Sequence, residues 1–345
     1  MNRASVGSRC LKLVRPLIGA MAGLLIITAC GAPEKPPGPA PNANGPSTVP
    51  SSPGCPRPGT VTVHDGAELA GALRAAHPGV IIEMAAGTYA GKFIATGNGT
   101  QQQPIVLCGG RDAVIDAENV NYAMYLNGTS WWQLIGFTVR GGQKGVMADN
   151  AQHNVIDNLL IENIGDEGLH LRRNSSDNVV RNTTVRNTGL RVPKFGEGMY
   201  VGSAKSNWDR YTDGQPDRSD RNLLENNTMS QNTAEAIDIK EGTTGGIVRG
   251  NTFNGPNSDA ESWVNVKGNG WQIIGNTGTG SSRDGFSVHE VLDGWGKDNV
   301  FDNNNAVVNG PGYGINVTKN KDRNRVSCTN RATGAGKGLT NISCG

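Results

Sequence analysis

Hydrophobic and polar residues alternate in short bursts along most of the chain. The bursts read Ala123-Met-Tyr-Leu-Asn127, Gly145-Val-Met-Ala-Asp149, Gly168-Leu-His-Leu-Arg172 and Gly198-Met-Tyr-Val-Gly202. They continue as Ala236-Ile-Asp-Ile-Lys240, Trp263-Val-Asn-Val-Lys267, Gly285-Phe-Ser-Val-His289 and Gly314-Ile-Asn-Val-Thr318. Each places apolar residues at its second and fourth positions, the period of a strand with one buried face. Between them recurs a second phrase, an apolar pair closed by asparagine: Asn154-Val-Ile-Asp-Asn158, Asn178-Val-Val-Arg-Asn182, Asn222-Leu-Leu-Glu-Asn226 and Asn299-Val-Phe-Asp-Asn303. Looser copies are Gly246-Ile-Val-Arg-Gly-Asn251 and Gln272-Ile-Ile-Gly-Asn276. This phrase predicts a short strand running into a turn. If the asparagine recurs at one place in every coil, its amide can stack on its neighbours and satisfy turn backbone groups.

The bursts start 22 to 38 residues apart. A β-solenoid tolerates that irregularity because loops of any length can leave a constant coil, whereas leucine-rich and helical repeats hold their period. A propeller needs hairpins, and hairpin signals are missing. The expectation is an all-β, single-stranded right-handed parallel β-helix over residues 59–345. The segment Ala67 to Ala76 reads as a short amphipathic helix, followed by Val80-Ile-Ile-Glu-Met and Gly87-Thr-Tyr as a first coil. That order resembles the opening of pectin-lyase-like β-helix proteins, in which an N-terminal helix caps the otherwise open end of the core.

Composition adds abundant glycine and few aromatics (5%), which suits short strands and tight turns. At the N-terminus, Arg3, Arg9, Lys12 and Arg15 precede an apolar stretch, Leu17 to Ala29, too short to span a bilayer comfortably. It ends in Ile27-Thr28-Ala29-Cys30-Gly31, which resembles a bacterial lipobox. That resemblance implies a signal peptide over 1–29, lipidation of Cys30 and an exported protein anchored to the membrane. An ordinary secretory signal is the plainer alternative. The Pro-, Gly- and Ala-rich run up to Pro58 then reads as a tether over 30–58. Without residues 1–29 the formal charge falls from +2 to −2, which gives no electrostatic case for nucleic acid. A monomer is the expected state. Cys55, Cys108, Cys328 and Cys344 suit two disulfides in an exported protein. Three pairings are possible; Cys55–Cys108 with Cys328–Cys344 would pin the two ends of the domain.

If the apolar positions of each burst point inward, the third and fifth point out. The third-position column is Tyr125, Met147, His170, Tyr200, Asp238, Asn265, Ser287, Asn316. The fifth is Asn127, Asp149, Arg172, Gly202, Lys240, Lys267, His289, Thr318, and Glu167, Glu197 and Glu235 sit just before their bursts. Ionisable groups thus gather on the middle coils. Beside them leaves the longest insertion, Ser203 to Arg221, whose Trp208 and Tyr211 are candidates to stack on sugar rings. The plainer reading of any one such residue is a charge that keeps a solvent-facing strand soluble.

The run Glu235-Ala-Ile-Asp-Ile-Lys240, with Val264-Asn-Val-Lys267-Gly one coil later, resembles the active-site coils of the alginate lyase and chondroitinase B group of polysaccharide lyases. The resemblance implies Glu235 as a calcium ligand, Lys240 as the base and Lys267 in the place of an assisting Arg. Thr233 stands where that family has a second acid. In β-elimination on a uronic acid polymer, Ca²⁺ on Glu235 and Glu197 would neutralise the substrate carboxylate. Lys240 would need a depressed pKa to act as base. His170, Arg172, Tyr200, Asp238, His289 and Trp208 would contact the polysaccharide, with His170, Tyr200 or His289 as proton donor. The alternatives are a glycoside hydrolase using two of Glu197, Glu235 and Asp238, and a non-catalytic carbohydrate-binding surface protein. An alginate-type epimerase would carry an Asp-Pro-His-Asp motif, which is missing.

Overall fold

The computed structural model describes residues 54–118, 121–255 and 260–345. The leader, Cys30 and most of the tether lie outside these residues. Three parallel sheets of eleven, nine and ten strands wind around one core, each coil contributing a strand to each sheet in turn. The expected bursts form the nine-stranded sheet. Its register aligns Tyr125, Met147, His170, Tyr200, Asp238, Asn265, Ser287 and Asn316 in one column, in the order read from the sequence. The second and fourth positions, from Met124 and Leu126 to Ile315 and Val317, are buried in the core.

The repeated asparagine phrase forms the eleven-stranded sheet, and its asparagines divide the labour. The closing residues Asn158, Asn182, Asn226 and Asn303 adopt positive φ of 52–54° and turn the corner. Gly250 and Gly275, both at φ 65°, do so in the loose copies. The buried amide ladders run through the residues on either side. Asn154 Nδ2 donates to Asn178 Oδ1 (3.0 Å) and Asn178 Nδ2 to Asn222 Oδ1 (3.1 Å). A second ladder links Asn227, Asn251 and Asn276 at 3.0 Å per step, then Asn304 and Asn330 at 2.9 Å. Each amide also takes a backbone carbonyl or N–H, so the turns are buried with their polar groups paired.

The capping helix spans Gly66–Arg74. Asp65 accepts from the Glu68 N–H (2.9 Å) while Glu68 Oε2 accepts from the His64 N–H (2.8 Å), a reciprocal cap. Leu69 and Leu73 close the end of the core. The helix stops short of Ala76 because Ala75 leaves helical geometry ahead of Pro78-Gly79. The disulfides are Cys55–Cys108 and Cys328–Cys344, one near each end. Among the described residues, no helix is long and apolar enough to cross a membrane.

Candidate active site

The outer face of the nine-stranded sheet is roofed at its middle coils, so several outward residues are buried despite facing away from the core. His170 is 5% exposed and Asp238 1%. The insertion after Val201 forms one wall. Asp217 is buried and pins it by accepting from the backbone N–H groups of Arg173 (3.0 Å) and Asn174 (2.9 Å) and the hydroxyls of Ser203 and Ser219 (both 2.8 Å). Trp208 does not line the cavity. It is buried, with its indole N–H donating to Ser203 O (2.9 Å), so it anchors the wall instead. A four-residue helical turn demands a buried face, and the larger ring takes it. Tyr211, at the end of that turn, is the aromatic on the cavity, with the Arg172 guanidinium 3.7 Å from its ring centroid.

The cavity so enclosed has a volume of about 710 Å³. Its lining includes His170, Arg172, Glu197, Tyr200 and Lys240 of the expected set, but not Asp238, Lys267, Glu235 or His289. It also includes Lys144, Arg191, Lys194 and Arg210, which sequence reasoning missed. Lys144 had a signal: it occupies, one coil earlier, the position of Glu167, Glu197 and Glu235 just before the strand. Arg191 and Lys194 come from the short turn before Met199–Val201, which carries no strand pattern.

Two structural ion pairs hold the near side of the cavity. Arg172 binds Asp149 through two nitrogens (2.8 and 2.9 Å), and the Tyr125 hydroxyl donates to the same carboxylate (2.9 Å). Burial opposes ionisation of Asp149, yet Arg172 holds its pKa below the usual value. Lys144 pairs with Glu167, whose other oxygen lies 3.5 Å from His170 Nδ1. Against burial, His170 and Lys144 bring Glu167 down to about 2. His170 donates from Nε2 to Gly202 O (2.9 Å), and burial lowers its pKa against the pull of Glu167.

At the centre, Glu197, Glu235 and Asp238 bring carboxylate oxygens within 4.8 Å of one another. Asp238 receives Lys240 Nζ on one oxygen and Lys267 Nζ on the other, both at 2.6 Å. The Lys–Asp contacts keep Asp238 ionised although burial opposes it. Glu235 accepts from Asn265 Nδ2 (3.1 Å), and Asn265 Oδ1 accepts from His289 Nδ1 (2.8 Å). His289 is neutral because burial and Lys267 lower its pKa, so it supports the cluster from behind rather than reaching the cavity. Glu197 Oε2 has no partner. Burial, then Asp238, Glu167 and Glu235, push Glu197 up to about 9.

This geometry corrects two expectations. Asp238, expected to contact the sugar, does not line the cavity and is the counter-ion of two lysines. Lys240 does not have a depressed pKa: burial alone would lower it, but Asp238 and Tyr200 outweigh burial and raise it. The carboxylate cluster that could hold a cation is present. However, calcium gathers six to eight oxygens, and both oxygens of Asp238 already face ammonium groups. The donor set fits two lysine cations better than a resident calcium.

Tyr200 lies between Lys240 and His170. Lys240 Nζ is 4.8 Å from its ring centroid, and the His170 ring is 4.4 Å away, tilted by 57°. Burial raises the phenol well above its usual pKa, with Lys240 acting in the opposite sense.

The coils and the roofed sheet define a right-handed parallel β-helix with a cation-rich cavity on one face. The family model described as right handed beta helix region matches residues 100–208. The crystal structure of an alginate lyase from Paenibacillus sp. str. FPU-7 superposes with a TM-score of 0.76 at 34% identity, covering 83% of this chain and 99% of that one. The chain therefore belongs to the same right-handed β-helix family as that enzyme. PfbA, a surface adhesin of Streptococcus pneumoniae, shares the fold alone: TM-score 0.52, 12% identity, 81% of this chain and 75% of that one. No curated protein matches the chain.

Proposed function

We propose that the protein is a polysaccharide lyase that cleaves a uronic acid polymer by β-elimination at Tyr200 and Lys240, without a resident calcium. The observation that carries this reading is the phenol and the ammonium side by side on the floor of a cavity ringed by Lys194, Arg210 and the ion pairs Lys144–Glu167 and Arg191–Asp166, with cations in excess. Such a ring suits a polyanion. The family tie to an alginate lyase puts alginate first among candidate polymers.

Because Lys240 keeps its proton, it is the acid, and Tyr200 is the base. Tyr200 reacts as its phenolate, the minor form that the adjacent ammonium favours against burial, and removes the proton at C5. The electrons of that bond form C4=C5, the C4–O4 bond breaks, and Lys240 delivers its proton to O4. Tyr200 then holds a proton and Lys240 lacks one, so a transfer between these neighbours restores the starting state. A base with a high conjugate-acid pKa suits a weakly acidic carbon. Lys267 does not reach the cavity and acts by sharing Asp238 with Lys240.

The hydrolase reading lacks its carboxylate pair. Of the three clustered acids only Glu197 lines the cavity, and Asp238 is consumed by lysines. As for location, the lipobox-like Cys30 supports an exported lipoprotein; replacing Cys30 by alanine would release the protein from the membrane fraction.

The test is the ultraviolet absorbance of unsaturated uronate ends. Alginate, pectate, glucuronan and glycosaminoglycans would be incubated with the protein, with calcium and with chelator. The reading expects product from at least one polymer, unchanged by chelator and lost in Tyr200→Phe and Lys240→Ala. Release of reducing ends without that absorbance would contradict it.

A further inference from the structure

We propose that a groove beside the catalytic cavity, walled by Leu190 and Arg191, is a second sugar site. It takes further uronate units of the same polymer, so that the chain leaves the cavity sideways, across the corner of the coils. The inference rests on the reading of a uronic acid polymer as ligand and deepens it by placing a stretch of that polymer beyond the reacting unit.

The argument begins with how the corner is built. Three consecutive coils pass from the ten-stranded to the nine-stranded sheet at Gly142–Gln143, Gly165–Asp166 and Leu190–Arg191. They stack backbone to backbone. Gly165 N–H donates to Gly142 O (2.9 Å), Leu190 N–H to Ile164 O (3.2 Å) and Arg191 N–H to Gly165 O (2.7 Å). The first two coils carry glycine here, and the third carries the wall. A Cβ on Gly165 would lie 3.4 Å from that of Arg191 and 3.2 Å from Gln143 Cα, so a side chain there would crowd the space. The groove that results has a volume of about 380 Å³, within the usual span of small-ligand sites, about 300–1,000 Å³. Gln143 and Arg191 line both this groove and the catalytic cavity, so the two spaces meet at them.

The second step concerns what the groove offers. Arg191 is held in place by Asp166, a buried carboxylate that also accepts from Gln143 Nε2 (2.8 Å). That contact occupies one guanidinium nitrogen; a guanidinium has five N–H donors in a fixed fork. The others remain for a carboxylate, at the point where the two spaces join. None of the residues lining the groove is acidic, so a polyanion meets no repulsion there. Asn163 spends its Oδ1 on Asn187 (2.6 Å), which leaves its Nδ2 for a sugar hydroxyl. Leu190 is 59% exposed and forms no part of the core, yet it lines this groove. An exposed apolar side chain beside amides and a cation matches a uronate unit, which presents C–H groups, hydroxyls and a carboxylate.

The test reads binding without turnover. Alginate, pectate and glucuronan oligomers from trimer to octamer would be titrated by calorimetry into the Tyr200→Phe protein. The affinity for one series should rise with length. Leu190→Asp, added to that background, sets a carboxylate against the incoming chain, and the ratio of octamer to trimer affinity should fall about tenfold. Leu190→Phe still offers an apolar face and should keep the ratio. Leu190 is exposed, so both variants leave the core intact. A ratio unchanged by Leu190→Asp, or lost equally in Leu190→Phe, would overturn the proposal, as would binding of none of the oligomers. Failure of the lyase reading looks different: the oligomers bind with this length dependence, yet the wild type forms no unsaturated ends from them.

Discussion

Asp238→Asn isolates the electrostatics of the site most sharply. Asp238 sits 1% exposed between two ammonium groups, each 2.6 Å from one of its oxygens. At that distance each contact is a gross attraction of about 6 kcal/mol at an effective dielectric of about 20. Most of that offsets the desolvation of three charges. Removing one partner, however, leaves the others buried and uncompensated, for which about 3–5 kcal/mol is the usual cost. The variant should therefore unfold in urea at least about 3 kcal/mol more easily than the wild type at pH 7. The sign of its pH dependence follows. In the wild type, Lys240 is held above its unfolded pKa, so that stabilisation is complete below about pH 10 and is lost only above it. In the variant, burial without Asp238 lowers the lysine pKa, so the folded state releases protons that the unfolded chain keeps. The deficit should shrink as pH rises toward 10. A loss below about 1 kcal/mol, or a deficit independent of pH, would refute this reasoning.

Other consequences are as specific. Glu197 binds a proton in the folded state between about pH 4.3 and its pKa of about 9, a proton the unfolded chain has released. Wild-type stability should thus fall as pH rises through that window, by up to about 1.4 kcal/mol per unit, and E197Q should lack that slope in urea titrations. Asn251→Ala removes the acceptor of the Asn227 N–H and the donor to Leu224 O, and should cost about 2–4 kcal/mol by calorimetry. Opening Cys55–Cys108, whose ends are 53 positions apart in sequence, should cost about 4 kcal/mol, and Cys328–Cys344, 16 positions apart, about 3, by denaturation of the Cys→Ser pairs.

The fold was legible because a coil repeats its constraints. Each burst must bury its second and fourth residues, and each corner must find a residue tolerant of positive φ, so Met124 to Val317 and Asn158 to Asn303 announce themselves. Strand register then carried the column from Tyr125 to Asn316 into space without error. The site was half legible for the same reason: residues on strands were placed, residues on loops were not. Arg191, Lys194 and Arg210 lie on turns whose path no periodicity sets. Trp208 and Tyr211 could not be ranked, because which ring packs inward depends on the loop's own small core. The protonation states were least accessible. Lys240 reads as a base until Asp238, two residues away on the same strand face, is seen to share itself between Lys240 and Lys267.

Digestion of alginate, followed by mass spectrometry of the oligomers, tests the central claim most directly. Elimination adds no water across the broken bond, so the account predicts unsaturated oligomers lighter by one water than the saturated ones, formed equally in chelator. Saturated oligomers carrying the full added water would mean hydrolysis, and would contradict the roles assigned to Tyr200 and Lys240.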